Sequence, residues 1–306
     1  MPCDKLALLT FHLRRRYLRV IRQYPGHGAY DHVSPLRGTP WKDPVRLHCF
    51  GRRNGIHKLE FIGVAGLGLS QTLHFAEKFI GDLADTKIAR IDWCLDVDVP
   101  FDEMVRSARL ARVQNCSWIH SRGGSSAYLQ NSKQKVVLIY QRSKFLRSRR
   151  DPWAIGRGHD EDLTRIEVQF RGRGVPVRKF LDIRKYGEMN LLRNMTFLQT
   201  KIRSKLTPVD RLTAEGIEAR ARQVGLQVVS KQFPAAQWAS LEKRLFEPNS
   251  RSRFEDLQAR FMKSVREWLN DVRRFPREDD LGPQRSQRTS PSLQASRATP
   301  QESGDE

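Results

Sequence analysis

The sequence has no long apolar run, so it predicts no membrane-spanning helix. Its opening, MPCDKLALLTFHLRRRYLRV, has an apolar stretch too short, and charges placed too late, for a secretion signal. The expected compartment is the cytoplasm. Cysteine is scarce. Cys3, Cys49, Cys94 and Cys116 stand far apart with no CxxC pair, which argues against a zinc knuckle and against a disulfide framework. The 8 histidines form neither His-x-His nor HExxH. Gly63, Gly66 and Gly68 have neither the dinucleotide-binding spacing nor a following GK[ST]. Acid is the last shortage: 34 Asp and Glu face 55 Lys and Arg, a net charge of +21. So large an excess is unusual for a plain metabolic enzyme. It predicts a polyanionic partner, most simply DNA, and Arg suits forked contacts to phosphate.

What is present is a globular chain, 39% hydrophobic with 15 Phe. Its most informative stretch is Arg90-Ile-Asp-Trp-Cys-Leu-Asp-Val-Asp-Val99. Ile91, Trp93, Leu95, Val97 and Val99 alternate with Asp92, Cys94, Asp96 and Asp98, which reads as a half-buried strand. Three carboxylates on one strand face repel one another. A divalent cation would resolve the conflict, and so would simple exposure on a basic protein.

The rest of the chain divides by pattern. Strands are expected over 5–13, 45–49, 56–62, 88–99, 117–121, 126–129, 134–141 and 163–171, with Asn54-Gly55 as a hairpin signal. Residues 23–44, rich in Pro and Gly, read as irregular. Helices are expected over 70–84 and 101–113. From about 177 the pattern turns helical: 179–205 as a mixed, mainly helical stretch, then 213–224, 234–247 and 253–274. Residues 276–306 are polar and patternless, an expected disordered tail. The fold class is α+β: an antiparallel sheet with packed helices, a helical C-terminal region and that tail. The expected divisions are 1–176, 177–275 and 276–306.

Three strands present polar residues at period two: Asp92, Asp96 and Asp98 on one, Glu167 on a second, Tyr140 and Arg142 on a third. If these strands are neighbours, their polar faces make a cleft of carboxylates, a hydroxyl and guanidiniums. Phosphodiester cleavage asks for those groups. A metal there is expected to be Mg2+ or Mn2+, held by Asp92, Asp96 and Glu167, with His57 or His120 as candidate helpers. Tyrosine is a weak nucleophile at its ordinary pKa of about 10 and needs a base, a metal or a cationic surround. Tyr128 competes with Tyr140 for that role. Phosphate contacts are expected from Arg14, Arg15, Arg16, Lys133, Lys135, Lys144, Arg147, Arg149 and Arg150.

Four segments in order resemble the replication initiation factors of rolling-circle plasmids and filamentous phages, the trans-acting Rep type. They are Leu59-Glu-Phe-Ile-Gly-Val-Ala-Gly-Leu-Gly68, Arg90-Ile-Asp-Trp-Cys-Leu-Asp96, Tyr128 to Arg142, and Thr164-Arg-Ile-Glu-Val-Gln-Phe-Arg171. The resemblance spans roughly residues 5–175. It implies an origin-specific nickase whose tyrosine, here Tyr140, becomes joined to a 5′ phosphate, with Asp92, Asp96 and Glu167 as the carried-over acids. The sequence departs from the family pattern at Leu138, where the family has Arg. It departs again at Gln141-Arg142, where the family has Asp-Lys, and at Asn131, where it has Gly. DNA is the implied partner; a host helicase and pairing with a second copy stay open. The rival readings are a non-catalytic basic DNA-binding protein and a metal-dependent nuclease or transposase-like enzyme that uses water.

Overall fold

The computed structural model describes residues 3–14, 30–36, 45–51, 55–62, 68–80, 82–111, 113, 115–121, 124–132, 134–148, 163–249, 254 and 256–271. Strands β1 (Cys3–Thr10), β2 (Tyr30–Leu36), β3 (Val45–Gly51), β4 (His57–Ile62) and β5 (Lys87–Val97) come first, with helix α1 (Leu69–Ile80) before β5. Helix α2 (Phe101–Ser107) leads into β6 (Ala108–Leu110), β7 (Asn115–Ser121), β8 (Gly124–Ser132) and β9 (Lys135–Gln141). Helix α3 (Arg142–Ser148) and β10 (Thr164–Arg171) follow. The remainder is a 3-10 helix (Phe180–Glu188), β11 (Met195–Thr200), α4 (Pro208–Val224), α5 (Leu226–Ser230), α6 (Ala235–Leu245), β12 (Phe246–Pro248) and α7 (Leu257–Asn270).

Nine strands form one antiparallel sheet in the order β2-β3-β4-β1-β5-β10-β9-β8-β7. Alternation decides its two faces. Leu6, Leu8, Leu59, Phe61, Ile91, Trp93, Ile166, Val168, Val137 and Ile139 make the apolar face and are buried. Helical segments close that face. Trp93 is fully buried, its ring 5.4 Å from Tyr186 of the 3-10 helix and 5.5 Å from Trp268 of α7. Helices packed mainly on one face of an antiparallel sheet are the α+β arrangement. A second, three-stranded sheet, β12-β11-β6, carries α4, α5 and α6 over its own core of Leu198, Ile217, Leu226, Trp238, Leu245 and Phe246.

Several elements differ from the sequence reading. Tyr30–Leu36 is a strand although it contains Pro35; it lies at the sheet edge, where a missing N–H costs no ladder bond. The helix expected over 101–113 stops at Ser107. Ala108 is extended, and its segment pairs with β11, so tertiary pairing overrides helical propensity. That same β11 lies within the stretch read as mainly helical. Residues 142–148, outside the strands and helices expected from the sequence, are helical. The 3-10 helix and α7, both beyond residue 177, pack against the first sheet through Tyr186 and Trp268. The tail expected over 276–306 lies outside the described residues.

Candidate nucleic-acid site on the polar sheet face

Directly opposed residues of an antiparallel pair share a face. Register therefore builds the site row by row. Tyr140 of β9 opposes Arg165 of β10, which opposes Asp96 of β5. In the next row Leu138, Glu167 and Cys94 are aligned; in the next, Val136, Gln169 and Asp92. Two further contacts fix the margin. Thr164 Oγ1 donates to Val99 O at 2.6 Å, pinning the start of β10 to the end of β5. Arg142 N donates to Leu163 O at 2.8 Å, and Leu163 N donates to Ser143 Oγ at 3.1 Å, so α3 folds back beside β10. Phe145 of α3 thereby meets the Tyr140 ring, at 5.7 Å and 70°.

Guanidiniums settle the carboxylate repulsion seen in the sequence. Arg90 Nε donates to both oxygens of Asp92 at 2.9 Å, and Arg90 Nη2 donates to Asp92 Oδ2 at 2.5 Å. Arg165 Nε and Nη2 donate to Asp96 at 2.5 and 2.7 Å, while Arg165 Nη1 donates to Asp4 Oδ1 at 2.9 Å. Asp4 reaches this face because β1 slips register against β5 between Cys3 and Lys5. A bulge places two consecutive side chains on one side. Along β10, Arg171 donates to Gln169 Oε1, and Gln169 Nε2 donates to Glu167 Oε1 at 2.5 Å.

Protonation follows from these partners. Burial raises Asp92, and the Arg90 hydrogen bonds offset part of the rise. Burial also opposes the charge on Asp96, but Arg165 outweighs it and holds that carboxyl below its ordinary value. Among the described residues no guanidinium is paired with Glu167; burial, then the charges of Asp92 and Asp4, push it up to about 7. Burial lifts the Tyr140 hydroxyl well above its ordinary value, with Arg165 the largest opposing influence. Cys94, buried, is pushed up to about 12 and stays a thiol.

The structure thus gathers Tyr140, Asp92, Asp96 and Glu167 on one face of three adjoining strands. Arg142 is close enough to bias both Tyr140 and Asp96, yet it belongs to α3 rather than to β9. Its guanidinium lies 5.8 Å over the Phe145 ring, and its Nε is a buried donor with no hydrogen-bond partner. Asp98 is not on the strand; it is exposed past the end of β5. Lys135 opposes Phe170 and so lies on the helix-covered face, where its amine sits 5.5 Å over that ring and donates to Leu191 O at 3.4 Å. His57 opposes Thr10 at the buried face, and burial lowers its pKa. Arg14 and Lys144 are exposed. Arg15, Arg16, Lys133, Arg149 and Arg150 lie outside the described residues, as do the side chains of Arg147 and His120.

Of the three acids expected to hold Mg2+ or Mn2+, Asp92 and Asp96 are engaged by guanidinium. Both oxygens of Asp92 and of Asp96 accept from guanidinium, and a cation would have to displace Arg90 or Arg165. Among the described residues no group of three or more His, Cys, Asp and Glu is gathered to hold a metal. The same face also holds Asp4, Arg90, Arg165 and Gln169, which were not among the candidate residues of the sequence. Arg90 had a signal: it stands two residues before Asp92 and so shares its strand face.

No described helix is long and apolar enough to cross a membrane. No protein-family description matches the chain, and no curated protein matches it. Among solved structures, the rolling circle replication initiator protein from Geobacillus stearothermophilus is similar over 86% of this chain and 95% of that one, at 12% identity and a TM-score of 0.37.

Proposed function

We propose that this protein cuts and transfers a strand of DNA at the polar sheet face, with Tyr140 as the attacking residue. One observation carries the reading: register puts Tyr140, Arg165 and Asp96 in a single row, with Glu167 on the diagonal. In the reaction the Tyr140 oxygen attacks phosphorus, an O–P bond forms, and the bond to the 3′ oxygen breaks. The 3′ oxygen takes a proton from solvent and leaves as a free hydroxyl. The phenolic proton goes to Glu167, whose carboxyl at about 7 is ready to accept it at neutral pH. That base is needed, because the raised Tyr140 hydroxyl does not ionise unaided. Arg142, with its unspent Nε, and the clamped Arg165 offset charge on the non-bridging oxygens. One phosphoester replaces another, so no high-energy cofactor is required. Side chains supply these steps while Asp92 and Asp96 stay engaged by guanidinium.

The test mixes protein with a random-sequence single-stranded DNA pool, in Mg2+, in Mn2+ and in EDTA, on a denaturing gel. A protein–DNA band that survives denaturation and disappears in Tyr140→Phe supports the reading; its absence in every condition removes it. A band formed only with added metal moves the acids into a ligand role. The second reading, binding without cutting, is favoured by a different observation: Tyr140 is only 8% exposed, under Phe145. It expects Tyr140→Phe to bind the pool as the parent does, with no band in either.

A further inference from the structure

The polar face carries a second tyrosine. Tyr128 of β8 opposes Leu138, which in turn opposes Glu167. Ser126, two residues before it, opposes Tyr140. Tyr128 and Tyr140 are therefore diagonal neighbours on the same side of one strand pair. Such positions stand about 7–8 Å apart and remain within reach of aromatic side chains.

Their surroundings differ in a way that favours Tyr128 as an acceptor. Tyr140 is buried under α3, whereas Tyr128 is only half-buried, so its proton has a direct route to solvent. Arg171, exposed at the end of β10, is close enough to feel the Tyr128 hydroxyl electrostatically. The same Arg171 is tied through Gln169 to Glu167, so its guanidinium is tethered within the site. We propose, resting on the strand-transfer reading above, that Tyr128 is a second attacking hydroxyl able to take a 5′ phosphate itself. Its oxygen bonds to phosphorus, the phosphorus–3′ oxygen bond breaks, and the phenolic proton passes to solvent. The 3′ oxygen takes a proton and departs as a hydroxyl. Arg171 offsets the charge on the non-bridging oxygens. A face with two acceptors can hold one strand end while a second is cut.

Trypsin separates the two candidates. Cleavage after Arg122 and Lys133 yields Gly123–Lys133 with Tyr128, and cleavage after Lys135 and Arg142 yields Val136–Arg142 with Tyr140. The full chain, Tyr140→Phe, Tyr128→Phe and the double variant are each incubated with the single-stranded pool. The DNA-linked peptides are then mapped by mass spectrometry after nuclease trimming. The expected result is nucleotide on both peptides of the parent, a reduced adduct confined to Gly123–Lys133 in Tyr140→Phe, and none in the double variant. Adduct on Val136–Arg142 alone, wholly lost in Tyr140→Phe, overturns the role of Tyr128 and leaves that of Tyr140 standing. Adduct on Gly123–Lys133 alone overturns Tyr140 instead and supports attack by Tyr128. No adduct in the parent overturns both. Thermal melts of both Phe variants, expected to match the parent, separate loss of chemistry from loss of fold.

Discussion

On β5, Asp92 and Trp93 are neighbours in sequence and opposites in surroundings. Trp93 faces helices and touches aromatic rings from two of them; Asp92 faces guanidinium on its own strand. The comparison extends over the whole sheet. The apolar face is held by cover: α7 and the 3-10 helix remove it from water. The polar face is held by pairing, because Arg90, Arg165 and Gln169 occupy the acids from within the sheet. Cover is non-directional and tolerant of small shifts. Pairing is directional, and it fails when one partner is removed. A site built by pairing can also reopen for a phosphate, which competes for the same guanidiniums. A face closed by helices cannot.

The largest effect is expected on the covered face. Trp93→Ala removes a fully buried ring between Tyr186 and Trp268 and leaves a cavity that neighbouring elements fill only in part. The expected loss is about 4 kcal/mol, seen as a lower urea midpoint with an unchanged slope. DNA binding by the fraction still folded should be unaltered. A loss below about 1 kcal/mol would mean that the helices do not close this face as tightly as the contacts indicate.

Next comes the paired face. Arg165 has a side chain only 3% exposed and satisfies Asp96 and Asp4 together. Arg165→Ala leaves two carboxylates facing each other with no cation between them, at an expected cost of about 3 kcal/mol. The comparison predicts a rescue that the covered face cannot show. Adding Asp96→Asn to Arg165→Ala should recover part of the loss, because it removes a stranded charge. Urea titration of the single and double variants measures it; a further loss on adding Asp96→Asn would mean that Arg165 acts by packing rather than by charge.

These cases also show what the sequence could and could not convey. The alternation of β5 and of β10 was legible, since it depends only on residues two apart. So was the gathering of Asp92, Asp96, Glu167 and Tyr140 on one face, given that the strands adjoin. The pairing of Arg165 with Asp96 was not, because it depends on the register between strands 69 residues apart. Nor was the arrival of Asp4, which a register slip turns toward the polar face. The acids therefore looked unbalanced in the sequence, because the partner of Asp96 lies on another strand. The 108–110 strand was hidden for a related reason: its partner, β11, begins at Met195.

The smallest and most diagnostic effect concerns pH, because the paired face holds acids shifted in opposite directions: Glu167 and Asp92 upward, Asp96 downward. Glu167, pushed up to about 7, holds its proton more firmly in the folded chain than in the unfolded one. Its contribution to stability is present in full below the unfolded carboxylate range and is lost as pH rises through about 7. Asp96, held down by Arg165, behaves in reverse: its contribution is present above the ordinary carboxylate range and is lost as pH falls below it. The parent should therefore lose stability between about pH 5 and pH 8 from Glu167, and again in acid from Asp96. Glu167→Gln should flatten the upper limb and leave the acid limb in place, while Asp96→Asn should do the converse. Melting midpoints read across the pH range decide it. Asp92, also raised by burial, should leave a smaller upper limb in Glu167→Gln; a limb unchanged in size would show that Glu167 does not titrate there and is an ordinary ionised carboxylate, poorly suited to take the Tyr140 proton.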